Sequence, residues 1–371
     1  MKRTLATILA SAMLLACLGG CSSNGSSSGS GTSGSDSSGG GSSASTSGAS
    51  ASTDIDYPTR DISMIIPFSA GGATDLIGRA LATGMGEYLG VNIAVTDMPG
   101  SASAVGTEYV MDSEHDGYTI LCQPTDITSI AIMGQSELTY EDWNTLYVAT
   151  AVPTVICVPP DSPINTVEDL VAAMKERVLT IATSDSGCAF TRGVGLILQQ
   201  EPDCQTPQLI PSGGGGNAAL SAVKGDVDAS ACGLPECIEY VRSGDLKPIT
   251  YFGESDITVT GSAGDVHIPW VCEAYPQLES YMPFGGWVGM AVPADTDPAI
   301  AAKLTEAVEY AANTDEFIDF LKSKEFVPMS LKGDEANAWA ESTTYTNAWL
   351  LYDMGFTSTS PEEFGWPRPE N

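Results

Sequence analysis

Two stretches of small residues stand where an apolar strand pattern gives way to a helical one. The first is Pro67-Phe68-Ser69-Ala70-Gly71-Gly72, followed by Asp75. The second is Ser184-Asp185-Ser186-Gly187-Cys188-Ala189. Neither contains a lysine or arginine. The chemistry such stretches offer comes from the backbone. A strand that feeds a helix through a glycine turn aims free N–H groups at one spot, and the helix dipole adds partial positive charge there. That is a seat for an anion such as a carboxylate. A tight connection with no ligand has the same composition, so both readings stay open at this point. Asp75 has an equally plain alternative, an acid in a first helical turn with Arg79 four residues on.

Other chemistry lacks its signatures. The chain has two histidines, His115 and His267, in turn and glycine-rich surroundings. There is no H-E-x-x-H and no phosphate-binding G-x-x-x-x-G-K-S/T. The run Gly213 to Gly216 lacks the accompanying lysine. The seven cysteines beyond residue 21 are odd in number, and their spacings match no zinc pattern. These observations support no metal, no cofactor and no enzymatic activity. Acidic residues outnumber basic ones 47 to 15, for a net charge of −32. That balance opposes nucleic acid and anionic membrane surfaces. It leaves room for a small anion, because distant charges are screened over about 8 Å at physiological salt.

The elements that must position these stretches alternate. Met64 to Ile66 reads as a buried strand ended by Pro67, and Leu76, Ile77, Ala80, Leu81 and Met85 recur at helical spacing. Val91 to Val95, Tyr118 to Cys122, Val152 to Val158, Leu179 to Thr183, Gln208 to Pro211, Leu246 to Phe252 and Gly285 to Val292 read as further strands. Helices are expected from Thr166, from Ala189, after Asn217, and over Pro298 to Ala312, Asp315 to Lys324 and Glu335 to Met354. Such alternation argues for α/β architecture with parallel strands, whose ligands sit beyond the carboxyl ends of the strands. The chain crosses between two αβ units near Val152 and returns near Trp287. The expected organisation is a first lobe over 57–155, a second over 156–284, and a return to the first over 285–371. A cleft between lobes is a favoured ligand site.

The N-terminus resembles a bacterial lipoprotein signal. Lys2 and Arg3 precede a short apolar run, and Leu18-Gly19-Gly20-Cys21 fits the lipobox, with Leu14-Leu15-Ala16-Cys17 a poorer match. The resemblance implies a signal peptide over residues 1–21 that ends at the lipobox cysteine, with Cys21 retained as the lipidated N-terminus and Cys17 as the alternative. Residues 22–56 are dominated by serine and glycine and are expected to form a flexible tether with a mean reach of roughly 30 Å.

An ordered set of motifs resembles the Bug-type (TctC-like) extracytoplasmic solute receptors of tripartite tricarboxylate transporters. Tyr57-Pro58-Thr59-Arg60-Asp61-Ile62 and Ile66 to Asp75 with Arg79 look like the family's opening. Pro99-Gly100 with Gly106, Asp116-Gly117-Tyr118-Thr119, Gly225-Asp226-Val227-Asp228-Ala229, Gly244-Asp245-Leu246-Lys247 and Trp287 to Pro293 follow in the family's order. The resemblance implies a two-lobed periplasmic-binding-protein-like fold, each lobe a mixed, mainly parallel sheet flanked by helices, closing on a small organic acid. It implies that Pro67, Phe68, Ser69, Ala70, Gly71, Gly72 and Asp75 hold one carboxylate from the first lobe. The second lobe would contribute Ser184, Asp185, Ser186, Gly187, Cys188 and Ala189, with Gln123, Thr125, Gly213 and Gly214 bordering the cleft. Implied partners are a mono-, di- or tricarboxylate and the membrane transporter subunits, reached from a lipid-anchored, extracytoplasmic monomer. A surface sensor or interaction protein on the same fold is the competing expectation. Two departures bear on the ligand. Asp185 adds an acid to the family's S-S-G-x-G-T/S loop, and Ile210-Pro211-Ser212-Gly213-Gly214 lacks the family's tyrosine and lysine.

Overall fold

The computed structural model describes residues 55–369. The expected signal peptide, lipidation at Cys21 or Cys17, and the tether up to residue 54 lie outside the described residues, as do the last two residues. The described chain opens with β1 (Ile62–Ile66), α1 (Ala73–Leu89), β2 (Ile93–Asp97), α2 (Ala104–Met111), β3 (Thr119–Pro124) and β4 (Trp143–Val158). It continues through α3 (Val167–Glu176), β5 (Thr180–Thr183), α4 (Ala189–Gln200), β6 (Gln208–Pro211), α5 (Gly215–Val223), β7 (Ala229–Gly233), α6 (Leu234–Ser243) and β8 (Lys247–Tyr251). After the hairpin β9 (Ile257–Gly261) and β10 (Gly264–Ile268) and the short α7 (Val271–Ala274), β11 (Gly285–Pro293) returns. The chain ends with α8 (Pro298–Ala312), α9 (Asp315–Ser323), β12 (Val327–Lys332) and α10 (Asp334–Asp353).

The strands join in one continuous sheet in the order β2-β1-β3-β11-β4-β7-β5-β6, with β8 and β12 also on β4. The parallel pairings are those of the two αβ units, β1 with β2 and β3, and β5 with β6 and β7. The antiparallel ones come from β4, β11 and β12. The two units meet along β4, which is 16 residues long. Its first part, from Trp143 to Pro153, pairs with β11, and from Thr154 it pairs with β7. The expected strand began only at Val152, so its first nine residues were missed. Nearly all of β4 is buried, so it shows no alternation of polar and apolar residues. Pro153 also reads as a strand breaker. In the fold it sits at the changeover between partners, where the absent N–H is least missed; the next amide, Thr154 N–H, donates to the Phe284 carbonyl at 3.0 Å.

Helix α1 is placed by its apolar stripe. Ile77, Leu81 and Met85 are completely buried, each contributing roughly 1.5–3 kcal/mol. Gly84 lets α8 approach, since a Cβ there would stand 2.8 Å from Ala311. Thr166 caps α3 by accepting from the Asp169 N–H, as its position implied. The β9–β10 hairpin, β12 and α6 were not expected. Helix α6 is the consequential omission, because it carries a residue of the site.

Candidate functional site

Three helices of the αβ units begin at one cavity. The loop after β1 turns at Gly71, whose φ of +85° suits glycine, and delivers Gly72 and Ala73 to the start of α1. Asp75 does not face the cavity. Its Oδ2 accepts from the Gly71 N–H at 2.8 Å and its Oδ1 pairs with the Arg79 guanidinium, which reaches Asp97 at 2.8 Å. The plainer reading of Asp75 therefore describes its contacts, all within the first lobe. In the second lobe the loop after β5 is tied down by its own groups. Asp185 accepts from the Ser186 N–H at 2.7 Å, and its carbonyl accepts from the Thr191 hydroxyl at 2.8 Å. The Ser184 carbonyl takes the Gly213 N–H at 2.9 Å, which fixes the glycine run against this loop.

The cavity is lined by Phe68, Gly72, Thr125, Ser184, Ala189 and Gly214 among the residues expected from sequence. The remaining ones do not line it. Pro67, Ala70 and Gly71 complete the first loop. Ser69 faces Gly213 across the lobes, where a Cβ would stand 3.6 Å from its Oγ. Asp185, Ser186, Gly187 and Cys188 complete the second loop, with Cys188 Sγ against the Thr191 hydroxyl at 3.4 Å. Gln123 is wholly buried, and neither atom of its amide has a protein partner. Thr125 is engaged by β11: its hydroxyl accepts from the Trp287 N–H and donates to the Trp287 carbonyl at 3.1 Å.

Two acids on the cavity wall, Asp126 and Glu236, were missed. Glu236 stands at the third position of α6, reaches back to its own N-cap, and follows Pro235. That is the glutamate half of a capping box, Gly233 having no side chain to complete it, and it is legible in Pro235-Glu236 at the start of the helix. Its Oε2 accepts from the Gly233 N–H at 2.8 Å, and its Oε1 crosses to the other lobe to accept from the Ala73 N–H at 2.9 Å. The Gly215 N–H faces it as well. Desolvation between the lobes pushes its acid group up to about 7, against the pull of these amides. Asp126 mirrors it from the first lobe, facing the Ala189 N–H at the start of α4, and burial pushes it up to about 6. Arg192, wholly buried, pulls the Asp126 acid group down against that burial, and its Nη1 donates to the Gly187 carbonyl at 2.7 Å. Its Nε and Nη2 and the Asp126 Oδ1 have no protein partner.

In this arrangement of the lobes the cavity holds about 30 Å³, roughly the share of one water in the liquid. A second cavity of about 650 Å³ lies beyond Thr125, Gly286 and Trp287, between β4, β11, β12, the β10–β11 connection and α10. Among the described residues no group of three or more His, Cys, Asp or Glu side chains could hold a metal ion. No described helix is long and apolar enough to cross a membrane.

The family model described as "Tripartite tricarboxylate transporter family receptor" matches residues 77–355. The chain belongs to this family. Its members are solute-binding receptors and not enzymes, and they work outside the cytoplasmic membrane with tripartite transporters. Protein BugT of Bordetella pertussis is 26% identical over 307 residues, covering 79% of this chain and 91% of its own. The periplasmic binding protein BugD superposes with a TM-score of 0.73 at 21% identity, over 81% of this chain and 99% of its own. MatC of Rhodopseudomonas palustris, solved with bound malate, gives a TM-score of 0.69 at 19% identity, over 80% of this chain and all of its own. The fold is that of the two-lobed receptors, as expected.

Proposed function

We propose that this receptor captures a small organic acid between its lobes and hands it to a tripartite tricarboxylate-type transporter, working as a monomer held to the membrane by a lipid on Cys21. One observation carries the reading. The N-termini of α1, α4 and α5 converge on a single cavity whose wall is drawn from both lobes. Each helix start favours negative charge by 0.3–1 kcal/mol, and by up to about 2 where partly buried. The wall needs no lysine or arginine to attract a carboxylate. The malate bound by MatC supports the same class of solute. Small-molecule pockets measure roughly 300–1,000 Å³, so the lobes must part about the Pro153–Thr154 changeover to admit an acid. Lobes over 57–155 with 285–371, and over 156–284, suit that motion. The ligand-binding assignment covers the loops from Pro67 to Gly72, Ser184 to Ala189 and Gly213 to Gly214, with Gln123 and Thr125 at their border.

The test is a thermal-shift and calorimetric screen of the mature protein against acetate, succinate, malate, adipate, citrate and acidic amino acids. An acid present at a hundred times its dissociation constant stabilises by about 2.7 kcal/mol, which should raise the midpoint by several degrees at this size. A selective hit is the expected result. A flat response from folded protein stripped of co-purified solute would overturn the carboxylate reading. Anchoring is tested separately: Cys21→Ser should abolish incorporation of labelled fatty acid and release the protein from membranes.

A further inference from the structure

The start of α1 has its anion already. Of the N–H groups around the Gly71–Ala73 turn, Gly71 donates to Asp75 and Ala73 donates to Glu236. Asp75 belongs to the same helix, but Glu236 comes from the other lobe, 163 residues away in sequence. The fit around its carboxylate is close and specific. A Cβ on Gly215 would stand 1.7 Å from Oε2, one on Gly233 3.0 Å from Oε2, and one on Gly72 3.4 Å from Oε1. Gly215 at the start of α5 thus clears the space that this carboxylate fills, Gly233 of β7 leaves it a tight fit, and Gly72 leaves it ordinary contact. Capping of α6 accounts for Oε2 and the Gly233 N–H. It does not account for Oε1, which serves the other lobe.

We infer that Glu236 is a resident carboxylate of the seat: it bridges the lobes through the start of α1, and a solute carboxylate enters by displacing it. This rests on the carboxylate reading above and deepens it. Glu236 then sets a threshold for entry. An acid binds only if its contacts in the seat exceed those that Glu236 surrenders, so single weak carboxylates are rejected and acids with further contacts are accepted.

The experiment has two readouts, one of which needs no solute. The first is the radius of gyration by small-angle scattering, in carboxylate-free buffer, for the wild-type protein and for Glu236→Ala, Gly215→Ala and the double variant. Gly215 has no left-handed backbone to protect, so its new methyl group acts by evicting the carboxylate. The expected result is expansion in both single variants, with the double variant no more expanded than Glu236→Ala. The second readout is calorimetric affinity for malate and acetate, expected to rise tenfold or more in Glu236→Ala and by the same factor for both, because both displace the same contacts. Circular dichroism checks folding, and Glu236→Gln, which keeps the shape and the α6 cap, stands in if the alanine variant is unstable. An unchanged radius in both single variants would overturn the bridge. Expansion without a gain in affinity would overturn the displacement and leave Glu236 a brace. If neither wild type nor Glu236→Ala binds any acid, the carboxylate reading and the displacement fail together, while the scattering still decides the bridge.

Discussion

The two strand–turn–helix units around the cavity are alike in plan and unlike in how their helix starts are satisfied. In each, a buried strand ends in small residues, a helix begins at the cavity, and an acid from the opposite lobe faces its first amide. At α1 that acid is Glu236, set on a helix, with both oxygens hydrogen-bonded to backbone amides. At α4 it is Asp126, whose Oδ1 has no protein partner and whose nearby guanidinium, Arg192, is buried with two nitrogens unmatched. Unmade hydrogen bonds in a buried setting cost on the order of 1–3 kcal/mol each. The first seat is complete within the protein, and the second is not. On the proposed reading, a solute gains by exchange at α1 and by addition at α4.

The comparison can be broken most forcefully with pH. Glu236 ordinarily titrates near 4.5 and is raised to about 7 in the folded protein. Between those values the native state holds a proton that the unfolded chain has released. Stability should therefore fall as pH rises from 4.5 to 7 and level off above. The Glu236 share is up to roughly 3 kcal/mol, less what solvent at this partly buried group screens. Asp126, which faces Glu236, adds the same sign between 3.8 and about 6. Glu236→Gln should flatten thermal midpoints measured from pH 4.5 to 8, and an unaltered slope would contradict the assignment.

A matched pair of proline substitutions comes next. Ala73 and Ala189 are the first helical residues of α1 and α4, where proline is tolerated and only the N–H is lost. Their preceding residues are extended, with ψ of 168° and 165°, as a following proline requires. Ala73→Pro removes the cross-lobe donor to Glu236, a charge-assisted bond of about 1.5–3 kcal/mol. It should expand the protein in solution scattering. Ala189→Pro removes the amide facing Asp126 and should cost about 1 kcal/mol of thermal stability, with a smaller change in radius. Equal effects on the radius would erase the distinction between the two seats. The smallest effect concerns the solute. An acid with a hydroxyl can donate to the Asp126 Oδ1, so malate should bind about fivefold more tightly than succinate. That preference should vanish in Asp126→Ala, which removes the acceptor.

Part of this candidate site was legible in the residues, and the missing part has a physical cause. The two loops, the glycine run and their place at strand ends follow from local patterns: Pro67 ends β1, Gly71 takes a positive φ, and the apolar positions of α1 and α4 recur at helical spacing. The family resemblance rested on those same motifs. Glu236 and Asp126 were not read, because in so acidic a chain no single acid stands out. Their roles also depend on contacts across the lobes that no local pattern encodes. For Glu236 a local signal did exist, the glutamate half of a capping box at the start of α6. It identifies the Oε2 contact with Gly233 and says nothing of the Oε1 contact with Ala73. The first half of β4 was missed for the opposite reason: its burial on both faces removes the alternation that would mark it.

The most direct test of the central claim is calorimetric titration of malate into the wild-type protein and into Gly72→Leu. Gly72 has an ordinary extended backbone, and a side chain there would occupy the wall between Ser69 and Glu236. Binding to the wild type and loss of at least a hundredfold in a folded variant is the expected result. Equal affinities in the two proteins would place the acid elsewhere and contradict the account.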